Sequence, residues 1–326
     1  MLLVTGGAGF IGSNVVASLN EAGHSDVVVN DTLGKDGKWR NLQKHRFADF
    51  VPPGDLLRWL DGRKLDGVIH LGAISETTAR DGDLVIETNF RLSLQLLDWC
   101  TAQRTPFIYA SSAATYGNGE HGFSDEADPA ALRRLRPMNL YGWSKHLFDL
   151  VVAERSARGD ALPPQWAGLK FFNVFGPNEY HKGEMMSLIA KRFDEAKTGS
   201  PVRLFKSYRA EVADGDQLRD FIYVEDAVAV VRWLVETPHA SGLFNVGTGK
   251  ARSFRDMMTA MFAAFGRRPN IEYIAMPETI RDSYQYFTQA SVEKLQRAGY
   301  NAGFMALEDA VRRYVTGFLD QDDRFR

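Results

Sequence analysis

The sequence predicts an α/β fold, a doubly wound parallel sheet with a smaller α/β lobe. In the first half of the chain, short apolar runs alternate with long helical stretches, which is typical of a parallel sheet covered by helices. The apolar runs are continuous rather than alternating, as expected for strands buried on both faces. With 326 residues, the chain has room for one large domain or two unequal ones.

The predicted strands are short apolar runs bounded by polar or glycine residues. They cover residues 2–5, 27–30, 67–71, 107–110, 168–172 and 243–246. The predicted helices are longer stretches with apolar residues at helical spacing. They cover residues 10–22, 83–103, 140–158, 225–236, 253–265, 291–298 and 306–318.

Composition excludes several classes of protein. A net charge of −2 gives no general attraction to nucleic acid or to anionic membranes. Residues 1–20 contain no Lys or Arg, unlike a secretion signal, and too many Gly, Ser and Asn for a membrane span. The single cysteine, Cys100, cannot form an intrachain disulfide, so we expect a cytoplasmic location. We expect no metal.

The first strand is followed by a glycine-rich turn and a helix. The turn reads Gly7-x-Gly9-x-x-Gly12 and overlaps Gly6-x-x-Gly9-x-x-Gly12. Glycines let backbone amides approach a diphosphate, and the helix N-terminus adds a favourable dipole. Asp31 ends the second strand, nineteen residues beyond Gly12, which is the spacing of a carboxylate that meets the adenosine ribose. The start of the chain therefore predicts a Rossmann dinucleotide site.

The residues leave the choice between NADP and NAD open. Asp31 favours a free ribose 2′-hydroxyl. Lys35, Lys38 and Arg40 could instead neutralise a 2′-phosphate, or they could belong to a solvated loop.

A Tyr-x-x-x-Lys pair opens the predicted helix of residues 140–158. Tyr141 and Lys145 share one helical face, so we expect the ammonium to lower the pKa of the phenol and to suit it for acid/base work. Ser111, Ser112 and Thr115 follow a strand at the edge where such sheets bind ligands, and a hydroxyl there can bond the same substrate oxygen. The combination predicts an acid/base site that acts on a substrate oxygen, and it is far more specific than either part alone.

Beyond residue 172 the regular pattern loosens at Gly176-Pro177 and in the polar stretch 207–219. We expect residues 1–173 to form the dinucleotide-binding domain, with residues 221–250 returning to it. Residues 174–220 and 251–326 are expected to form a substrate-binding lobe.

Several motifs together resemble a known family. GGAGFIG, HLGA, SSAATYG, YGWSK and FNVFGP resemble the extended short-chain dehydrogenase/reductases that epimerise and dehydrate nucleotide sugars. HKGEM, DQLRDFIYVEDA, GLFNVGTGKARSF and YQYFTQAS resemble, more closely, the ADP-glyceromanno-heptose 6-epimerase family of lipopolysaccharide-core synthesis. The resemblance covers nearly the whole chain in order.

The resemblance implies roles for individual residues. It places Tyr141, Lys145, Lys182 and Ser112 on catalytic positions. It places on cofactor-contacting positions Gly6, Gly9, Phe10, Ile11, Gly12, Asp31, Lys38, Ser75, Asn89, Tyr141, Lys145, Val174 and Lys182. It places on substrate-contacting positions Ser112, Asn173, Glu184, Lys191, Phe205, Arg219 and Tyr284. Pro52-Pro53 and Thr32 depart from the pattern of some members, which bears on the NADP preference.

The implied reaction inverts C6 of ADP-D-glycero-D-manno-heptose with NADP as cofactor, through oxidation to a ketone and return of the hydride to its other face. Tyr141 and Lys182 are the two candidate acid/base groups, although Lys182 could be a phosphate contact or a solvated residue. Arg219 could bind the diphosphate or pair with Asp216 or Asp220. The implied partner is a small nucleotide sugar, and the implied assembly is a homo-oligomer, commonly a pentamer.

Two alternatives remain open. The nearer one is another nucleotide-sugar epimerase, such as a UDP-hexose 4-epimerase. The other is a non-catalytic sensor that binds a dinucleotide, although such binders usually lack the full set of hydroxyl, tyrosine and lysine. A 4,6-dehydratase is disfavoured because those enzymes carry an acidic pair where this chain has Ala113-Ala114-Thr115.

Overall fold

A seven-stranded parallel sheet forms the centre of the protein in a computed structural model, which describes residues 1–281 and 284–326. The strands of the described chain are β1 Leu2–Thr5, β2 Val27–Asn30, β3 Asp49–Val51, β4 Gly67–His70, β5 Phe107–Ser112, β6 Trp166–Phe171, β7 Asn173–Phe175, β8 Val202–Phe205, β9 Leu218–Tyr223, β10 Gly242–Val246, β11 Ala251–Ser253 and β12 Ile271–Ile274. The predicted doubly wound sheet is confirmed, and all six predicted strands belong to it.

Helices cover this sheet and build the remainder of the molecule. They are α1 Phe10–Glu21, α2 Leu56–Leu60, α3 Gly82–Val85, α4 Leu92–Gln103, α5 Pro129–Leu132, α6 Leu140–Arg158, α7 Leu188–Lys191, α8 Phe193–Thr198, α9 Val224–Glu236, α10 Phe254–Ala264, α11 Glu278–Arg281, α12 Glu293–Arg297 and α13 Leu307–Tyr314. None of the helices in the described residues is long and apolar enough to cross a membrane.

The order of strands creates a crevice at one edge of the sheet. The order is β10-β6-β5-β4-β1-β2-β3, so the chain winds outward from β1 in one direction and then returns to continue from β4 in the other. Residues pair in parallel register on both sides of β1, with Thr5 opposite Asn30 on β2 and opposite His70 on β4. Ligands of such sheets bind at this switch point, beyond the carboxyl ends of the strands.

Apolar side chains bury both faces of the sheet. On one face, Val15, Val16 and Leu19 of α1 pack with residues of α9. On the other face, Leu96 and Leu97 of α4 pack with residues of α6. Because both faces are covered, the strands carry the continuous apolar runs from which they were predicted.

A third apolar cluster lies beyond the sheet. Met257, Met258 and Met261 of α10 pack there against Val311 and Tyr314 of α13. A three-stranded sheet, β11-β9-β7, and a two-stranded pair, β12-β8, belong to this region. These short strands lack a long apolar run, which explains why the sequence pattern did not predict them.

One predicted helix is interrupted. Residues 83–103 fold as α3, a π-helical segment Ile86–Arg91, and α4. Periodicity alone predicts one continuous helix here, because a π-helical turn adds a residue without breaking the run of helical residues. The added turn is occupied by Asn89, one of the residues expected at the site.

Candidate active site

A cavity of about 480 Å³ opens at the switch point of the sheet. It is bounded by the glycine-rich turn after β1, the turns after β4 and β5, the first turn of α6, and the segments that follow β6 and β7. Most of the residues expected at the site line it. These are Gly6, Gly9, Phe10, Ile11, Gly12, Asp31, Lys38, Ser75, Ser112, Tyr141, Lys145, Asn173, Val174 and Lys182.

The glycine-rich turn presents backbone amides to this cavity. Gly9 precedes α1 in an extended conformation, and among the described residues no side chain caps the helix and no acid occupies its first turn. A Cβ atom on Gly12 would overlap the Gly6 carbonyl oxygen, so the tight turn requires glycine there. The amides at the start of α1 therefore fit the diphosphate of a dinucleotide.

Asp31 accepts three hydrogen bonds beside the turn. Its Oδ2 accepts a hydrogen bond from the Ala8 amide at 2.9 Å, and its Oδ1 accepts from the Thr32 amide at 2.7 Å. The Lys38 ammonium also donates to Oδ1, at 2.6 Å. Lys38 thus belongs to the site, whereas Lys35 and Arg40 are exposed and lie outside the cavity lining.

Local packing brings Tyr141 against the turn that follows β5. Asn139 precedes α6, and its Oδ1 accepts a hydrogen bond from the Gly142 amide at 2.8 Å. A Cβ atom on Gly142 would lie 2.8 Å from the Ala114 carbonyl oxygen, so only glycine permits this close approach. The Tyr141 phenol consequently lies close enough to the Ser112 hydroxyl for that group to lower its pKa.

The pKa of Tyr141 differs from the expectation. Burial raises the pKa of the phenol above its ordinary value, the nearby Ser112 hydroxyl partly offsets this, and the Asp149 carboxylate adds a smaller increase. The prediction that a neighbouring ammonium lowers this pKa is therefore wrong for the structure as it stands, because desolvation of the phenolate dominates. In this state the phenol holds its proton at neutral pH and can donate it.

Lys145 lies one helical turn after Tyr141 and is buried. Burial lowers the pKa of its ammonium to about 8, while Asp149, one further turn along the helix, raises it. Within the part of the chain that the structure describes, Lys145 has no salt-bridge partner. It is a cation that faces the cavity without a neutralising contact.

A buried polar network lies directly behind these residues. Asp149 on α6 forms an ion pair with Lys170 on β6 at 2.6 Å, and both side chains have 0% exposure. Asp149 also accepts hydrogen bonds from the Ser111 hydroxyl at 2.6 Å and from the Tyr109 phenol at 3.1 Å. Lys170 donates to the Thr115 hydroxyl at 2.7 Å. This network ties β5, β6 and α6 together beneath Ser112 and Tyr141.

Lys182 lines the cavity from the segment that follows β7. Its Nζ lies 5.1 Å from the centre of the Phe10 ring, on the helix that starts the dinucleotide site. Burial lowers the pKa of Lys182, and the Glu179 carboxylate partly opposes that change. No hydrogen bond or ion pair engages this ammonium within residues 1–281 and 284–326.

His181, beside Lys182, is held neutral. Its Nδ1 lies 3.2 Å from Asn41 Nδ2, and the same Asn41 amide group donates to the Ala8 carbonyl at 2.9 Å. Burial lowers the pKa of His181 to about 4, helped by Lys38 and Lys182. Its ring therefore serves the packing of the glycine-rich turn, as expected for a structural histidine.

Asn89 lies behind the cavity rather than in its lining. Its Oδ1 accepts a hydrogen bond from the Ile74 amide at 2.8 Å, and its Nδ2 donates to the Ile74 carbonyl at 2.9 Å. Its Nδ2 also donates to the Ser144 hydroxyl at 3.0 Å. Expected at the cofactor, Asn89 instead fixes the loop that carries Ser75 against α6.

The other expected substrate contacts fall into two sets, an aromatic group around Arg219 and an ion pair between Lys191 and Glu184. The Arg219 guanidinium lies 5.3 Å from the centre of the Tyr284 ring, and the Phe205 and Tyr284 rings lie 6.3 Å apart. Lys191 pairs with Glu184 at 3.2 Å. None of these five residues lines the cavity itself, although Gln285, the neighbour of Tyr284, does.

Arg219 is buried, and the two surface ion pairs considered for it do not form. Asp216 pairs with Arg255. Asp220 accepts hydrogen bonds from the backbone amides of Thr248, Gly249 and Ala290 instead. Burial lowers the pKa of Arg219, so its charge is held in a poorly solvated place next to an aromatic face.

Sequence reasoning missed several residues of the lining and its support. Gln285 and Thr288 line the cavity from a segment quoted only for its resemblance, and Asn139 lines it just before α6. Asp149 and Lys170 support it from behind. The spacing of four residues from Lys145 to Asp149 was a usable signal. Nothing local in the sequence indicates that Lys170 is their partner.

The comparison with known sequences defines the class of protein. The sequence profile of the NAD dependent epimerase/dehydratase family matches residues 2–247, which include the glycine-rich turn, Ser112, Tyr141, Lys145 and Lys182. The chain belongs to this family.

Individual relatives confirm the closer resemblance. An ADP-L-glycero-D-manno-heptose-6-epimerase of Nitratidesulfovibrio vulgaris (strain DP4) is 49% identical over 329 residues, with 100% of both chains covered. The crystal structure of the enzyme of that name from Helicobacter pylori has a TM-score of 0.79 at 29% identity, covering 97% of this chain and 95% of that one. The UDP-glucose 4-epimerase of Thermus thermophilus in complex with NAD has a TM-score of 0.72 at 26% identity, covering 96% and 97%.

Proposed function

We propose that the protein is an isomerase that inverts C6 of ADP-D-glycero-D-manno-heptose to give ADP-L-glycero-D-manno-heptose. The observation that carries the proposal is one cavity that combines a diphosphate-binding helix start with Ser112, Tyr141 and Lys182. The full-length similarity to an enzyme named for this substrate supports the choice of sugar. Membership of a family described as NAD dependent supports a nicotinamide dinucleotide as cofactor.

A nicotinamide dinucleotide held at the glycine-rich turn would supply a hydride acceptor and donor, by which the C6 alcohol would become a ketone and be re-reduced on its other face. The residues of the chain move the hydroxyl proton. One of Tyr141 and Lys182 removes it during oxidation, and the other returns a proton to the oxygen after the ketone has exposed its second face. Tyr141 lines the cavity from α6 and Lys182 lines it from the segment after β7, so two acid/base groups on separate elements are available to one substrate carbon.

Lys145 and Ser112 support Tyr141 in this scheme. The Ser112 hydroxyl lies beside the Tyr141 phenol and reduces the rise in its pKa. Lys145 lies with its cation towards the cavity and is proposed to bind the nicotinamide ribose, where it would also favour phenolate. The phenol is then set to give or take a proton in either half of the reaction.

We propose NADP rather than NAD as the bound dinucleotide. Asp31 already accepts hydrogen bonds from Ala8, Thr32 and Lys38, which occupy three of about four acceptor positions of its carboxylate. Lys38 lies at the cavity and provides a cation that can pair with a 2′-phosphate.

The substrate nucleotide is proposed to bind the group formed by Phe205, Arg219 and Tyr284. A buried guanidinium suits the diphosphate, and the aromatic rings suit the adenine. This assigns residues 1–173 and 221–250 to cofactor binding, and residues 174–220 and 251–326 to a substrate lobe, apart from residues 282–283, which lie outside the described part. Cytoplasmic location, a role in lipopolysaccharide-core synthesis and a pentameric assembly stay predictions of the family resemblance.

The decisive experiment uses the purified protein and two sugar nucleotides. The dinucleotide released on denaturation is identified first, and we expect NADP. Native enzyme is then incubated with ADP-D-glycero-D-manno-heptose, and the C6 epimer is followed by NMR spectroscopy. UDP-glucose serves as the second substrate, and its conversion with ADP-heptose left unchanged would favour a hexose 4-epimerase instead.

The alternative of a non-catalytic dinucleotide sensor has a separate test. A Tyr141→Phe protein that still supports the biological function of the wild type in cells would favour the sensor. We expect loss of that function.

A further inference from the structure

Lys182 lies in a segment that is bonded to the helix of the dinucleotide site. The segment follows β7 and runs from Gly176 to Lys182. Two asparagines, Asn14 on α1 and Asn178 in the segment, join the two parts, and both have 0% exposure. We refer to them as the asparagine pair.

Asn14 bonds the segment directly. Its Nδ2 donates to the Phe10 carbonyl within α1 at 2.9 Å and to the Pro177 carbonyl at 3.0 Å. Because Phe10 is also the ring that lies next to the Lys182 ammonium, one short stretch of α1 contacts both ends of the segment.

Asn178 completes the attachment from the other direction. Its Nδ2 donates to the Ser13 hydroxyl on α1 at 3.0 Å, and its Oδ1 accepts from the Arg326 amide at 3.0 Å. Its φ of 75° lies in the left-handed region, which asparagine adopts more readily than other residues with a Cβ atom. Both polar ends of the side chain are thus used at a turn that few other residues would form.

Arg326 and Glu179 extend the same attachment. The Arg326 guanidinium bonds Asn14 Oδ1 at 3.3 Å and Glu21 of α1 at 2.9 Å. Glu179, also buried, accepts from the Ser187 hydroxyl at 2.7 Å and from the Tyr314 phenol at 3.0 Å. The Lys182 amide donates to the Glu179 carbonyl at 3.0 Å, so the lysine follows directly from this fixed point.

We propose that Asn14 and Asn178 are positioning residues for the acid/base reaction, which hold Lys182 at a set distance from the dinucleotide-binding helix. This inference rests on the proposed function of Lys182. A proton donor or acceptor must lie within hydrogen-bond reach of the reacting oxygen, and a displacement of about 1 Å can cost about 100-fold in rate. The asparagine pair supplies that precision from outside the cavity, since neither residue lines it.

The test is a double-mutant cycle on Asn178→Gly and Lys182→Ala. Glycine accepts the left-handed φ without strain, so N178G removes the side-chain bonds and preserves the turn. We expect N178G to lower kcat about 10- to 100-fold with little change in KM. In the K182A protein, adding N178G should lower kcat no further, because the group that it positions is already gone.

Further measurements separate positioning from folding. Thermal unfolding and dinucleotide content should stay near wild type in N178G, and Asn301→Gly, at an exposed asparagine, should keep normal turnover. The pH profile of N178G should move towards higher pH, because a more solvated Lys182 regains a higher pKa. If N178G does not fold, Ser13→Ala replaces it in the same cycle, since it removes one partner of Asn178.

The possible failures are distinguishable. Normal turnover by K182A would contradict the catalytic role of the lysine and the proposal built on it. Loss of activity in K182A together with normal kcat in N178G, or multiplicative losses in the double variant, would overturn the positioning role alone.

Discussion

At the scale of single residues, the chemistry of the site depends on how burial shifts the pKa of each ionisable group. The Tyr141 phenol and the Lys145 ammonium lie on one face of α6, yet the pKa of Tyr141 is raised and the pKa of Lys145 is lowered. Both shifts have the same cause, because burial disfavours whichever form is charged. Burial thereby brings the pKa of Lys145 closer to neutral pH and takes the pKa of Tyr141 further from it.

Removing the Tyr141 hydroxyl should remove proton transfer without disturbing the fold. We expect Tyr141→Phe to lower kcat about 100- to 10,000-fold, the usual contribution of a positioned acid/base group. Turnover of ADP-heptose measures the effect. Tyr300→Phe is the matched control, because that ring packs against Trp233 far from the cavity. Equal activity of the two variants would contradict the assignment.

The buried ammonium of Lys145 should lower the free energy of unfolding, although its charge serves the site. Its pKa in the folded state is about 8, below the ordinary 10.5. Below pH 8 the buried lysine is charged and this cost is present in full. Between about pH 8 and 10.5 the unfolded chain binds the proton more tightly, so stability rises with pH.

We therefore expect Lys145→Met to be more stable than the wild type at pH 7, by up to about 3 kcal/mol, and to lose activity. Urea unfolding of protein stripped of dinucleotide, repeated from pH 7 to pH 10, measures both the gain and its decline as pH rises. A variant less stable than the wild type at pH 7 would show that the aliphatic packing of Lys145 outweighs its desolvation.

At the scale of elements, a buried ion pair sets the geometry of the catalytic wall. Asp149 and Lys170 connect α6 to β6, and the hydroxyls of Ser111 and Thr115 connect the pair to β5 and to the turn after it. Ser112 and Tyr141 project from these same elements. The Thr115 hydroxyl also donates to the Ser112 carbonyl at 2.8 Å, so the network bonds the backbone of Ser112 directly and supports Tyr141 through α6.

Breaking this network from one side should be costly. Asp149→Asn leaves the Lys170 ammonium buried without its carboxylate, and we expect a loss of about 3–5 kcal/mol in the free energy of unfolding. Asp98→Asn breaks the exposed pair with Arg155 and should cost at most about 1 kcal/mol. Chemical denaturation of both variants compares the two. Equal losses would mean that the buried pair contributes no more to the free energy of unfolding than the exposed pair.

At the scale of the whole molecule, the cavity joins parts of the chain that are far apart in sequence. Gly6, Ser112, Lys182 and Thr288 all line it. Direct bonds also connect these parts, such as that from the Gln285 amide to the Gly117 carbonyl at 2.6 Å. A ligand in this cavity should therefore stabilise the fold as a unit.

Dinucleotide binding should appear as a stability gain that reports the cofactor preference. At a concentration one hundred times its Kd, a dinucleotide adds about 2.7 kcal/mol to the free energy of unfolding. We expect NADP to raise the Tm of stripped protein more than the same concentration of NAD. Lys38→Ala should abolish the difference, and Lys35→Ala should leave it intact because that side chain is exposed. Equal shifts with both dinucleotides in the wild type would contradict the NADP assignment.

The sequence by itself determined the parallel sheet, the glycine-rich turn and the Tyr141–Lys145 pair. Each depends on relations within a few residues, namely strand and helix periodicity, a turn that only glycine permits, and a spacing of four on one helical face. Such patterns are visible without knowing what packs against them. The family resemblance then extended the prediction to residues such as Lys182, whose neighbours in sequence carry no comparable pattern.

Only the tertiary structure decided which groups become partners and which charges are buried. It placed Asn89 behind the cavity, paired Asp149 with Lys170, and reversed the expected direction of the Tyr141 pKa shift. It also joined Asn14 to Pro177 across 163 residues of sequence. Contacts of this kind, and the desolvation that accompanies them, depend on which elements lie next to one another in the folded protein. Local periodicity in the sequence does not show that arrangement.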